Sequence, residues 1–85
     1  MKLSELKTMG SQGVKIYNSL WKLIIFGYPG NFNGLYYQKG KSLKDLGLEV
    51  DGLEIKDVFD LYSEKEILKV KGFGPKSMQT LKELV

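Results

Sequence analysis

The chain contains neither cysteine nor histidine among its 85 residues. Without cysteine it forms no disulfide, holds no metal through thiolates and offers no cysteine nucleophile. Without histidine it lacks the commonest general base and the commonest metal ligand. Arginine is missing too, so all 13 cationic side chains are lysines. Bidentate reading of guanine is mostly arginine work, although lysine can also do it, so a nucleic-acid contact is expected on phosphate rather than on base edges. Genome composition accounts for the missing arginine equally well. Prolines number only 2, and the longest apolar run, residues 23–26, is far short of the ~18 residues a membrane span requires. The opening "MKLSEL" lacks the apolar stretch of a signal peptide.

What is present reads as a globular domain, with 42% hydrophobic and 27% charged residues. One domain over 1–85 with a single modest core is expected. Folding should bury roughly 60–65% of the unfolded surface. The net charge of +3 is unevenly placed. Residues 1–44 carry seven lysines against Glu5, or +6. Residues 45–66 set eight carboxylates, from Asp45 to Glu66, against Lys56 and Lys65, or −6. Residues 67–85 set Lys69, Lys71, Lys76 and Lys82 against Glu83, or +3. A polyanion would be drawn to the ends and repelled by the middle. A solvated surface of mixed charge explains the same distribution.

Helical periodicity dominates. "LSELKT" (3–8) fits a short helical turn, interrupted by "MGSQG". Over 14–26, Val14, Tyr17, Leu20, Trp21 and Ile24 recur at three- and four-residue spacing, the signature of an amphipathic helix with Trp21 as its largest core candidate. "GYPGNFNGLYYQKGK" (27–41) is loop, with room for a short extended stretch at 35–38. Its aromatics Tyr28, Phe32, Tyr36 and Tyr37 precede Lys39, Lys41 and Lys44. They either stack on bases, with the lysines as auxiliary contacts, or pin the loop onto the core, and the second reading is favoured. "SLKDLGL" (42–48) predicts a helix with Ser42 as N-cap and Gly47 as breaker. "LEIKDVFDLY" (53–62) places Ile55, Val58, Phe59 and Tyr62 on one face. Ser63 and Glu66 then form a capping box that opens a helix at Glu64, with Ile67, Leu68 and Val70 in the core.

The densest signal is "VKGFGPKS" (70–77). A helix over 64–70, a hairpin over 71–74 and a helix over 75–85, packing Met78, Leu81, Leu84 and Val85, account for it. Gly72 and Gly74 allow a tight turn and close approach of a partner. Phe73 is expected to tuck between the helices, and Pro75 suits a first helical position, where an absent N–H costs nothing. The amides of Gly74, Lys76 and Ser77 then lack intrahelical acceptors. With Lys76 beside them and Lys69 and Lys71 flanking, they suit a phosphodiester oxygen whatever the base.

"EILKVKGFGPKSMQTLKEL" resembles the helix-hairpin-helix motif. The longer stretch over 53–85 is similar to the C-terminal domain of the bacterial RNA polymerase alpha subunit and to the helix-hairpin-helix region of NAD-dependent DNA ligases. The resemblance implies a small all-α domain, with five helices arranged as in SAM-like domains and in that C-terminal polymerase domain. It also implies contact with the DNA backbone through Gly72, Phe73, Gly74, Lys76 and Ser77. The polymerase family leans on an arginine that this chain lacks, which weakens the case for promoter-element recognition. The ligases' catalytic lysine lies in another domain and is not expected here. "LKTMGSQGVKIYNSLWKLI" (6–24) aligns with "LKVKGFGPKSMQTLKELV" (68–85), pairing Gly10 with Gly72, Gly13 with Gly74 and Lys15 with Lys76. A worn second hairpin at Gly10, Gln12, Gly13 and Lys15 and a coincidence between short helical stretches explain this equally.

Two functions remain open. One is a protein that binds duplex DNA through its backbone with little sequence preference. The other is an adaptor contacting RNA polymerase or replication proteins, with the acidic stretch from Asp45 to Glu66 as its surface. No enzyme is expected, because the carboxylates fall at helical surface spacing and no histidine or cysteine pairs with a nucleophile. No cofactor, metal, membrane or small-molecule substrate is expected. The expected place is the cytoplasm: the nucleoid, or a host's cytoplasm were the chain phage-encoded, which its small size would suit.

Overall fold

The structure, a computed structural model, describes residues 1–27, 34, 37, 39–70 and 72–84. It is a small all-helical domain. A 3₁₀ helix at Leu3–Thr8 is followed by α1 (Gly10–Phe26), α2 (Leu43–Asp51), α3 (Ile55–Leu61), α4 (Glu64–Leu68) and α5 (Pro75–Glu83). No strand occurs among the described residues, only an isolated bridge between Lys2 and Glu54. Around that bridge the Leu3 N–H donates to the Leu53 carbonyl (2.8 Å), and the Ile55 N–H to the Met1 carbonyl (2.9 Å). The N-terminal ammonium donates to the Glu54 carboxylate at 2.8 Å. The first residues are thereby sewn to the turn that leads into α3.

Helix starts follow from their side chains. The Ser42 hydroxyl accepts the Asp45 N–H (3.2 Å) at the head of α2. At α3 the Asp57 carboxylate accepts the Glu54 N–H (3.1 Å). At α4 the reciprocal box forms: Ser63 Oγ accepts the Glu66 N–H, and the Glu66 carboxylate accepts the Ser63 N–H, each at 3.2 Å. Such a box satisfies two backbone donors that a helix of five residues would otherwise leave to water.

The core centres on α1, which buries Ile16, Tyr17, Leu20, Leu23, Ile24 and Ile25 against Leu3 and Leu6 of the 3₁₀ helix. Leu46, Val50, Ile55, Val58, Tyr62, Ile67, Phe73, Met78 and Leu81 close it from the other helices. The apolar face of α1 is therefore rotated from the one its spacing predicts. Tyr17, Leu20 and Ile24 belong to it, Val14 stands 38% exposed, and Trp21 sits at the margin, edge-on to Phe26 with ring centroids 5.5 Å apart. Leu68, expected inside, is 40% exposed, and Val70, Phe59 and Leu84 are half-buried.

Gly47 does not break α2, which runs on to Asp51. A Cβ there would lie 3.3 Å from Trp21 Nε1, so the glycine leaves room for the indole to approach the helix closely. Packing against Trp21 outweighs the backbone-entropy cost of a helical glycine. The helix over 64–70 is shorter than expected, ending at Leu68, and the last helix ends at Glu83. In the loop over 27–41, Tyr37 packs half-buried against the core, as the pinning reading expects. Tyr28, Phe32, Tyr36 and the extended stretch expected over 35–38, apart from Tyr37, lie outside the described residues, as do Lys71 and Val85.

Candidate nucleic-acid interface

Between α4 and α5 the chain turns through Gly72, whose φ of +86° is a left-handed conformation that L side chains rarely adopt. The Phe73 N–H returns to the Val70 carbonyl (3.0 Å), and the Phe73 ring, 4% exposed, fills the space beneath. Phe73 therefore serves the site as an internal plug, with only its backbone near the surface. Gly74 has an ordinary extended φ of −107°, and a Cβ on it would meet nothing within 4 Å. Neither backbone geometry nor internal packing requires glycine at 74; its bareness matters only to what approaches from outside. Pro75 follows as the first residue of α5. Among the described residues, no acceptor meets the amides of Gly74, Lys76 or Ser77.

The start of α1 lies beside this turn. Gln12 Nε2 donates to Ser77 Oγ at 3.3 Å, joining residues 65 positions apart. Gln12 and Lys15 form one wall of a recess of about 400 Å³, whose other wall runs from Gly72 to Ser77. The N-terminus of α5, with its first amides and partial positive charge, thus opens onto a hollow that the first turns of α1 flank with Gln12 and Lys15. Lys15, Lys69 and Lys76 are exposed, and none pairs with a carboxylate among the described residues. Of the cations expected here, Lys15 and Lys76 line the recess, Lys69 stands just before the turn, and Lys71 is not described.

The N-terminal partner differs from the hairpin expected over 10–13. Only Met9 separates the 3₁₀ helix from α1, and Gly10, Gln12 and Gly13 all lie inside α1. Gly10 does share a positive φ (+76°) with Gly72. Gly13 has another task, because a Cβ on it would lie 2.2 Å from the Leu6 carbonyl oxygen and 2.7 Å from Met9 Cβ. Its absence of side chain lets the 3₁₀ helix press against α1. The aligned glycines therefore do unlike work: Gly13 admits the chain's own backbone, while Gly74 faces open space.

The auxiliary lysines do not join the recess. Lys41 Nζ pairs with Glu49 at 2.5 Å, Lys44 stands exposed on α2, and Lys39 is exposed in the turn before it.

The acidic stretch is largely occupied internally. Asp51 accepts a short hydrogen bond from the Tyr17 phenol and lies 3.7 Å from Lys7, whose ammonium sits 4.8 Å from the Tyr17 ring centroid. Burial, and then the bond and charge of Asp51, push the Tyr17 phenol well above the usual tyrosine value. The N-terminal ammonium's hydrogen bond holds Glu54 below the usual carboxylate range, against an opposing desolvation. Glu64 pairs with Lys82 at 2.7 Å, Asp57 and Glu66 cap helices, and Glu49 holds Lys41. Among the described residues, Asp45 and Asp60 alone of the eight carboxylates over 45–66 lack such a partner. The field this stretch projects is thus weaker than its sequence implies, whereas Lys69 and Lys76 beside the turn meet no carboxylate among the described residues.

No described group of three or more acidic side chains is arranged to hold a metal ion, and no described helix is long and apolar enough to cross a membrane. Comparison with protein-family models, curated proteins and solved structures finds no match.

Proposed function

We propose that this protein binds duplex DNA through the sugar-phosphate backbone, in the manner of a helix-hairpin-helix, with little dependence on base sequence. The observation that carries the reading is the recess between the start of α5 and the first turns of α1, where the α5 amides and two lysines, Lys15 and Lys76, have no partner among the described residues. An anionic oxygen there receives charge-assisted hydrogen bonds from fixed backbone donors and needs no particular base. With no arginine anywhere in the chain, phosphate is the natural target and bidentate base readout is weakly provided for.

The adaptor reading draws on the acidic stretch as a docking face. Among the described residues four of its eight carboxylates pair with a cation and two more cap helices, so it offers a basic partner less free charge than its sequence implies.

Fluorescence anisotropy with a labelled duplex of about 20 base pairs and the matching single strand, at 50 and 200 mM NaCl, tests the proposal. About three neutralised phosphates give a roughly 40-fold weakening over that salt range, from a slope of about −0.9 per phosphate. Lys76→Glu places a carboxylate beside the same amides and should abolish binding while circular dichroism stays unchanged and Tm is not lowered, since a carboxylate suits the helix dipole there. Wild-type protein that shows no salt-dependent binding to either strand form refutes the proposal.

A further inference from the structure

The Gln12–Ser77 contact joins two surfaces that the chain order keeps far apart, and its chemistry is unusual for a surface glutamine. Gln12 is exposed, so its amide could remain hydrated, yet it donates to the hydroxyl of Ser77, a residue only 7% exposed. A single neutral hydrogen bond of this kind contributes only about 0.5–1.5 kcal/mol net to stability. Its geometric effect is larger: Gln12 lies one helical turn before Lys15 on α1, and Ser77 directly follows Lys76 on α5. The bond therefore fixes the spacing between the two cationic walls of the recess.

We infer that Gln12 is a positioning residue for polyanion binding, and that its bond to Ser77 yokes Lys15 and Lys76 into one phosphate-gripping unit. This rests on the DNA-binding reading above. With the yoke in place, the two helix starts that carry the lysines are held at a set separation, and less ordering entropy is lost when a strand binds. Without it, α1 and α5 remain packed through the core, but their starts are free to part and one lysine drops out of the contact.

The test compares wild type, Gln12→Met, Ser77→Ala and the double variant. Gln12→Met keeps the length of the side chain and removes the donor; Ser77→Ala removes the acceptor with little change in volume. Each protein is titrated against the same labelled duplex at several salt concentrations, and its Tm is measured. Either single variant should weaken binding about 4- to 10-fold at low salt and make the salt slope shallower by about 0.9, the loss of one phosphate contact. The double variant should be no weaker than either single, because both act through one bond. A merely structural role moves Tm and leaves the salt slope alone.

A wild-type slope retained in both single variants, on a wild type that does bind DNA, overturns this inference while leaving the parent reading intact. Additive losses in the double variant also overturn it. A wild type that fails to bind removes the parent reading and this inference together.

Discussion

Replacing Gly13 by alanine should destabilise the protein, although alanine is the better helix former. At an unconstrained helical position the change would gain about 1 kcal/mol from backbone entropy alone. Here the added methyl would stand 2.2 Å from the Leu6 carbonyl oxygen, 3.3 Å from its carbon and 2.7 Å from Met9 Cβ. The first two atoms are backbone and cannot swing aside. The 3₁₀ helix must move by about 1 Å, and the fully buried Leu3 and Leu6 move with it. Overpacking costs typically about 1–3 kcal/mol, and a backbone clash belongs at the upper end. The net loss is then about 2 kcal/mol, which lowers Tm by roughly 8–16 °C for a domain of this size. Gly52→Ala is the control: its φ is −79°, and a Cβ would find the Glu49 oxygen at 3.6 Å, an ordinary contact. That variant should gain about 0.4–1 kcal/mol through the unfolded state. Thermal unfolding followed at 222 nm measures both. If Gly13→Ala melts at or above the wild-type temperature, the account of how the 3₁₀ helix seats on α1 is wrong.

Two further outcomes follow from the caps and ion pairs. Ser63→Ala removes the hydroxyl that accepts the Glu66 N–H and should cost about 1 kcal/mol, with the loss visible in chemical denaturation as a lower midpoint at unchanged slope. Glu54 has a folded pKa held below its unfolded value, so its contribution is present above about pH 4.5 and is lost as pH falls through the depressed value. Glu54→Gln should accordingly flatten the acid limb of a Tm-against-pH curve and leave a smaller gap from wild type at low pH than at pH 7; identical acid limbs would contradict the ion pair.

The parts of the fold legible in the sequence are those whose cause is local. The Ser63–Glu66 box acts within four residues, and Gly72 and Pro75 announce the turn before α5 by their own backbone requirements. Where a distant residue decides, the reading slips. Gly47 looks like a breaker until Trp21 is seen lying against it. Val14 and Ile16 offer two rival apolar faces for α1, and Leu3 and Leu6 select the one that carries Ile16. The similarity of 6–24 to 68–85 brings Gly10 and Gly72 to the same φ sign but misplaces Gly13, whose neighbour is the Leu6 carbonyl rather than solvent. Gln12 and Ser77 are each recognisable as polar residues near a helix start. Nothing in the linear order joins them, because a contact across 65 positions is a product of the tertiary fold.

The stitching of residues 1–3 to residues 53–55 also sets an order of events during synthesis. Leu3 and Leu6 cannot reach their final environment until a stretch about fifty positions downstream has left the ribosome. Closing so wide a chain loop is entropically slow to be rewarded. Until then the nascent α1 carries an uncovered oily flank, and the emerging polypeptide must be shielded or finished quickly.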